Sequence, residues 1–319
     1  MPAVSLIIPC YNEADNLPLL VDRCADVFGK RDDVLGGSAC YFSTCASFFT
    51  KPRLVAVVGE DFPDAHVQFL RSRGIDLGGL ERRPGRTFRW KGRYEFDLNT
   101  AHTLDTQLNV FADFQPKLPE AFRDSEYVFL GNIDPDLQRA VLDQVRAPRF
   151  VAADTMNFWI DSRRDALMKT LKRIDLLFVN DAEARQLADE VNVVRAAKKI
   201  LSFGPRAVVV KRGEYGSLFF SGDETFAASA YPLQAVFDPT GAGDSFAGGF
   251  MGYVASQRRE DRATLRRAIV LGSVLASFTV EQFSLERLKT LTPDEIKARF
   301  GEAKQLAHFD DLEVDLFER

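Results

Sequence analysis

The sequence predicts an α/β fold: a doubly wound, mostly parallel sheet flanked by helices, with a small β appendage. Three observations point there. Short apolar runs recur at Val4–Ile8, Leu54–Val58, Tyr127–Leu130, Phe150–Ala153, Leu176–Val179 and Ala207–Val210. Amphipathic stretches fall between them. One segment, residues 80–114, breaks the alternation with a different period.

Each element has a local reason. Apolar runs of this length without a polar face read as strands covered on both sides, as in a parallel sheet between helix layers. Asp64–Arg73 carries Val67 and Leu70 among polar neighbours and reads as a helix. Pro135–Val145 opens on a proline, which suits a first helical turn. Asp161–Arg173 places Leu167 and Leu171 four apart, on one helical face. Strand and helix in alternation imply the wound architecture. In residues 80–114 polar and aromatic side chains alternate, as in Thr87-Phe88-Arg89-Trp90 and Arg93-Tyr94-Glu95-Phe96. Period two means strands with one wet face. The segment is expected to form a small antiparallel flap outside the main sheet, either a lid or an ordinary surface hairpin. The last third reads as helices at Gly241–Ser256, Asp261–Val280 and Pro293–Lys304, followed by an acidic tail from His308.

Composition bounds the function. The chain has 319 residues, 46% hydrophobic and 27% charged, which excludes wholesale disorder and a fibrous fold. The net charge of −5 argues against a broad nucleic-acid-binding surface, while leaving room for a local phosphate site. No stretch reaches the roughly 18–20 apolar residues of a membrane span. The opening MPAVSLIIPCYNEAD lacks a basic region and meets Asn12, Glu13 and Asp15 early, so it does not read as a secretory signal. A soluble, cytoplasmic protein is expected. The cysteines, Cys10, Cys24, Cys40 and Cys45, crowd the first 45 residues and do not spread as a disulfide framework would. His66, His102 and His308 are scattered, without the spacing of a zinc site.

The segment that carries chemistry is Asp238-Pro-Thr-Gly-Ala-Gly-Asp244-Ser-Phe-Ala-Gly-Gly-Phe-Met251. Glycines at 241 and 243 let backbone approach a ligand, and the helix that starts there offers unpaired N–H groups and a positive dipole end. Asp244 in the first turn is either a favourably placed helix N-terminal acid or a general base beside an anion hole. The latter arrangement serves phosphoryl transfer to a hydroxyl. There is no G-x-x-x-x-G-K-[ST], and the G-x-G at 241–243 lacks its third glycine because position 246 is Phe. A P-loop NTPase and a dinucleotide-binding Rossmann site are disfavoured.

Residues 238–251 resemble the C-terminal signature of the PfkB, or ribokinase-like, carbohydrate and nucleoside kinases, with Pro239-Thr240 standing where many members have Thr-x. The resemblance implies a ribokinase-like fold and an ATP- and Mg²⁺-dependent kinase. Gly241, Ala242 and Gly243 would form the anion hole and Asp244 would be the catalytic base. Thr240 would join the nucleotide site. Gly36-Gly37-Ser38-Ala39 resembles the family's di-glycine element, which opens a helix against the acceptor. Asn180-Asp-Ala-Glu183 matches its Asn-x-x-Glu motif, which helps place Mg²⁺ and the phosphates, Glu183 indirectly. The same four residues are also what a helix N-cap requires. Lys211-Arg212-Gly213-Glu-Tyr-Gly216 resembles the strand and turn beside the nucleotide. Asp154-Thr-Met-Asn157 ends a strand where ligands sit in open α/β sheets and is a possible wall of the site. Residues 80–114 correspond to the lid, whose strands in this family often pair two subunits, so a homodimer through the lid is a further expectation.

Residues 1–28 read differently. Val4-Ser-Leu-Ile-Ile-Pro-Cys-Tyr-Asn12-Glu13 resembles the opening of family-2 glycosyltransferases: a strand, a polar turn, then a helix from about Ala14 to Val27. The chain is therefore read as residues 1–28, glycosyltransferase-like, joined to a kinase domain over residues 29–319. The kinase family's first strand ends in an Asp that binds acceptor hydroxyls, and a count back from Gly29 brings Asp22 near that place. Either Val4–Ile8 replaces that strand and Asp22 is misplaced, or Leu17–Val21 forms it. Three functions follow: a sugar or nucleoside kinase, a kinase-like ATP-binding protein impaired by its altered N-terminus, or a nucleotide-sugar transferase. The last would use Asp134-Pro-Asp136 as its acidic metal motif.

Overall fold

The computed structural model describes residues 4–7, 11–13, 34–94, 98 and 101–310. Seven parallel strands form its centre: β1 (Val4–Ile7), β4 (Arg53–Gly59), β5 (Asp76–Arg83), β8 (Tyr127–Leu130), β9 (Phe150–Asp154), β10 (Leu176–Asn180) and β11 (Ala207–Lys211). An antiparallel hairpin, β12 (Ser217–Ser221) and β13 (Glu224–Ala228), extends one edge. The order is β13-β12-β11-β10-β9-β8-β1-β4-β5.

Alternate residues of β4, β8, β9, β10 and β11 feed two separate cores, as covered faces require. Leu54, Ala56, Tyr127, Phe129, Phe178 and Val209 lie in one. Val55, Val57, Val128, Leu130, Val179 and Val210 lie in the other. The first core is closed by α1 (Ser38–Ala46), α8 (Ala242–Gln257) and α9 (Arg262–Thr279). The second is closed by helices that include α3 (Pro135–Leu142), α5 (Arg164–Leu171), α6 (Asp181–Ala188) and α7 (Val193–Leu201). The remaining helices are α2 (Asp64–Ser72), α4 (Asn157–Ser162), α10 (Glu286–Thr290) and α11 (Pro293–Leu306).

The expected single helix over 161–173 is broken. Arg163 has φ −132° and ψ 32°, and its guanidinium pairs with Asp134 and Asp136 on α3, so α4 ends and α5 begins there. Asp134 is itself the N-cap of α3, and Asp136 sits in its first turn and pairs with Arg139. The spacing that suggested a transferase metal motif is thus taken up by a helix cap and ion pairs.

A second sheet has the order β3-β2-β6-β7, from β2 (Tyr11–Glu13), β3 (Val34–Gly36), β6 (Arg89–Tyr94) and β7 (Ala101–Gln107). It begins at Arg89 in this stretch of the chain, since Leu80–Arg83 belong to β5 of the main sheet. Tyr11–Glu13, expected as a polar turn, is a strand of this sheet. Its root is pinned by Asp61, which accepts from Thr87 N at 2.7 Å and Thr87 Oγ1 at 2.6 Å and pairs with Arg89 at 3.3 Å. Val4–Ile7 pairs with both β4 and β8, so the first strand of the chain lies in the middle of the main sheet. Asp22 and the helix expected over residues 14–27 lie outside the described residues.

Helix α11 carries one position that packs against nothing. A Cβ on Gly301 would meet no atom within 4 Å, and no left-handed backbone is required there. Gly301→Ala is expected to stabilise the protein by about 0.5–1 kcal/mol, by lowering the entropy of the unfolded chain. A higher midpoint in a denaturant titration checks this, and an unchanged or lower one refutes it.

Candidate active site

Two helix N-termini meet at the carboxyl edge of the sheet. Helices α1 and α8 lie side by side: a Cβ on Gly241 would meet the Tyr41 ring, on Gly248 the Phe42 backbone and on Gly252 the Ala46 backbone. The contacts advance together along both chains, so the helices run parallel and their positive ends coincide. Neither has a side-chain cap. Gly37, with φ 87°, precedes α1, and Gly241, with φ 77°, precedes α8. Gly241 is required twice over: its backbone is left-handed, and a Cβ would lie 2.3 Å from Tyr41 Cδ2.

The first turn of α8 offers its amides unevenly. Ser245 N already bonds Gly241 O at 2.8 Å, and Ala242 N turns back to Pro239 O at 3.2 Å. Ala242 is therefore not an amide donor to the anion hole expected from 241–243. The N–H groups of Gly243 and Asp244 have no partner among the described residues. Thr240, expected beside the nucleotide, is buried, and its N–H goes to Asp238 Oδ1 at 3.0 Å. Asp238 also accepts from Ser284 N at 3.2 Å, which ties the glycine turn to the loop after α9.

Asp244 is partly buried at this junction, and the Ser38 hydroxyl, just past Gly37, lies close enough to favour its charged form. Burial and the nearby Asp154 carboxylate push it up to about 7, against the opposing pull of Lys211 and Ser38. Glu183 is likewise held up to about 7, first by burial and then by Asp154. Burial pushes the Lys211 ammonium down, but Asp154, Glu183 and Asp244 together hold it above its ordinary value. Asp154, Glu183, Lys211 and Asp244 thus form one electrostatic cluster with more carboxylates than ammonium groups.

The sheet register assembles it. Asp154 opposes Phe178, and Asn180 opposes Lys211, so three adjacent strands end at neighbouring positions. Asn180 and Glu183 form a complete capping box on α6: Glu183 N to Asn180 Oδ1 at 2.7 Å and Asn180 N to Glu183 Oε2 at 2.8 Å. The helix-cap reading of this motif is met, and the same carboxylate faces the cluster. Gly213 and Gly216 bracket a short turn after β11, closed by Arg212 N to Gly216 O at 2.8 Å. Gly36 ends β3, and Gly37 leads from it into α1. Phe246, Phe250 and Phe278 are buried in the first core, and Phe178 packs edge-on against Phe246 and Phe250. Cys40 and Cys45 are free and buried; burial pushes Cys45 up to about 12, which leaves it inert.

Sequence reasoning passed over Ser38 as a partner of Asp244 and Asp154 as a partner of Lys211. The signal for Asp154 was its place at a strand's carboxyl end. For Ser38 there was none beyond the di-glycine before it.

Comparison with known proteins gives the class of protein that has this fold. The pattern of the pfkB family of carbohydrate kinases matches residues 30–290, and the chain belongs to that family. It is 30% identical over 247 residues to a cytidine kinase of Thermococcus kodakarensis, covering 75% of this chain and 88% of that one. It is 36% identical over 278 residues to a nucleoside kinase of Methanothermobacter thermautotrophicus, covering 81% of each. A solved E. coli structure named ribokinase II, in complex with ATP and Mg²⁺, matches with a TM-score of 0.75 at 20% identity, over 95% of this chain and 99% of that one. At that identity the likeness speaks for the fold. The protein is a carbohydrate or nucleoside kinase with a ribokinase-like fold. Among the described residues no helix is long and apolar enough to cross a membrane.

Proposed function

We propose that the protein transfers the γ-phosphoryl group of ATP to a hydroxyl of a sugar or nucleoside, with Asp244 as general base. The observation that carries this is Asp244 itself: a carboxylate held up to about 7, with the Ser38 hydroxyl near it, beside the open amides of the α8 N-terminus. Asp244 takes the acceptor's proton as its hydroxyl oxygen bonds the γ-phosphorus. The bond from that phosphorus to the β,γ-bridging oxygen breaks, and ADP leaves with the electron pair. The Gly243 and Asp244 amides and the dipole of α8 offset charge on the transferred group. The acceptor belongs at the carboxyl ends of β1 and β8, where the strand order reverses. The kinase relatives named for cytidine and nucleosides favour a nucleoside acceptor.

The donor set suits Mg²⁺. The cluster is oxygen-rich and carries excess carboxylate, as a hard cation requires. Among the described residues no three acidic, histidine or cysteine side chains converge as a cage. That fits an ion which keeps its waters and takes phosphate ligands, with Asn180 and Glu183 at its outer shell. Bound there, Mg²⁺ would neutralise charge on the phosphates.

The family match starts at residue 30, whereas β1 at the strand-order reversal lies before it. That favours a second reading, a kinase-like ATP-binding protein with an impaired acceptor site. An ATP-consumption screen over pentoses, hexoses and nucleosides decides between them. Acceptor-dependent ADP release with a phosphorylated product is expected. ATP binding by calorimetry with no product across the panel would establish the second reading instead.

A further inference from the structure

We propose that Lys211 is the chain's own cation for the phosphoryl group in transit, and that Asp154 is the positioning residue that aims it. This rests on the kinase reading and adds two residue roles to it.

Lys211 ends β11 and Asp154 ends β9, with β10 between them. Lys211 Nζ lies 3.1 Å from Asp154 Oδ2, and the two side chains are 18% and 9% exposed, so the pair is largely withdrawn from water. On its other side the ammonium reaches the first turn of α8. A Cβ on Gly243 would stand 2.9 Å from Nζ. Glycine at 243 keeps the lysine tip against the backbone whose N–H groups are open. Cation and amides therefore converge on one small volume. Among the described residues Lys211 is the one cation that acts on Asp244.

Asp154 is built to stay in place. Its Oδ1 accepts from Thr155 N at 3.0 Å. Its backbone carbonyl accepts from Gln138 Nε2 at 3.0 Å, and the same amide donates to Gly131 O at 2.8 Å. A lysine at a strand end otherwise samples many rotamers. Clamped by a fixed carboxylate, it is preorganised, and a preorganised charge in a water-poor site stabilises developing negative charge most effectively. A pair that served the fold alone would match its charges. Here one ammonium faces Asp154, Glu183 and Asp244, an excess that an incoming cation–phosphate complex answers.

The test uses the full chain with Lys211→Met, Asp154→Asn and the double variant, each checked by thermal melting. Losing one preorganised donor costs about 10²–10³-fold in kcat, and Lys211→Met is expected in that range with the KM for ATP within threefold. Asp154→Asn keeps shape, loses charge and is expected to lower kcat roughly tenfold, with Lys211→Arg partly active. The double variant should be no slower than Lys211→Met alone, because the aspartate acts through the lysine. A readout free of turnover is the gain in ADP affinity on adding aluminium fluoride, whose planar form stands in for the phosphoryl group in transit, measured by calorimetry. Lys211→Met should lose that gain while its affinity for ADP alone stays within about twofold of wild type. Wild-type kcat in Asp154→Asn, additive loss in the double variant, or a full fluoride gain in Lys211→Met each overturns the proposal while wild-type turnover keeps the kinase reading. No turnover and no ADP binding in the wild type removes both. Asp154→Asn, nearly isosteric, decides the matter should Lys211→Met fail to fold.

Discussion

Asp244→Asn is expected to lower kcat by about 10²–10⁴-fold, the range for loss of a positioned general base, with little change in ATP affinity. Asparagine keeps the size and the Ser38 contact but cannot accept the acceptor's proton. The wild-type rate has its own sign to show. A base must be unprotonated, and Asp244 is held up to about 7 by burial and Asp154, so kcat should climb with pH through about 7 and level off above it. The variant's residual rate should lack that ionisation. Stability runs the other way. In the unfolded chain this group titrates near 3.8, so between about 4 and 7 the folded state holds the extra proton, and wild-type stability falls as pH rises through that window. Asp244→Asn, which stays neutral, should melt higher than wild type at pH 8 and lose the advantage below about pH 4. Steady-state kinetics and melting curves across pH measure both. Near-wild-type turnover in Asp244→Asn would end its assignment as the base.

Gly248→Val should produce the largest loss of stability. Residue 248 lies in the middle of α8, and a Cβ there would sit 2.4 Å from Phe42 O and 2.9 Å from Phe42 Cα. Both are backbone atoms of α1 and cannot rotate away. Relief requires the helices to part, in the core where Phe42 stacks on Phe129 at 4.3 Å. Overpacking of this kind costs about 3 kcal/mol, which at this chain length corresponds to roughly 4–5 °C in Tm. The same displacement would separate Ser38 from Asp244, so kcat should fall along with stability. Gly301→Ala, on an open helix face, is the control for replacing glycine in a helix. A Gly248→Val protein that melts within a degree of wild type would show that α1 and α8 do not pack as described.

Much of the fold was legible because buried parallel strands leave an unmistakable trace. Tyr127–Leu130, Leu176–Val179 and Ala207–Val210 have no polar face, and only a sheet covered on both sides tolerates that. The hairpin β12–β13 was harder to see, since its outer strand is half wet and carries Glu224 and Thr225. The break at Arg163 was invisible because it depends on Asp134 and Asp136, brought near only by packing. The site divides in the same way. Gly241, Gly243 and Asp244 stand together in the chain, so local sequence names them. Ala242 looked equivalent, but the turn spends its amide on Pro239.

By itself the sequence determined the parallel α/β sheet, the glycine turn at the head of α8 and the acid placed there, because each depends on residues within a few positions of one another. Tertiary structure alone decided that Val4–Ile7 lies between β4 and β8, that Ser38 reaches Asp244, and that Asp154 grips Lys211 across two strand spacings. The physical reason is range. Propensity and periodicity act along the chain, whereas a carboxylate's charge state is set by burial and by whichever charges the folded sheet brings beside it.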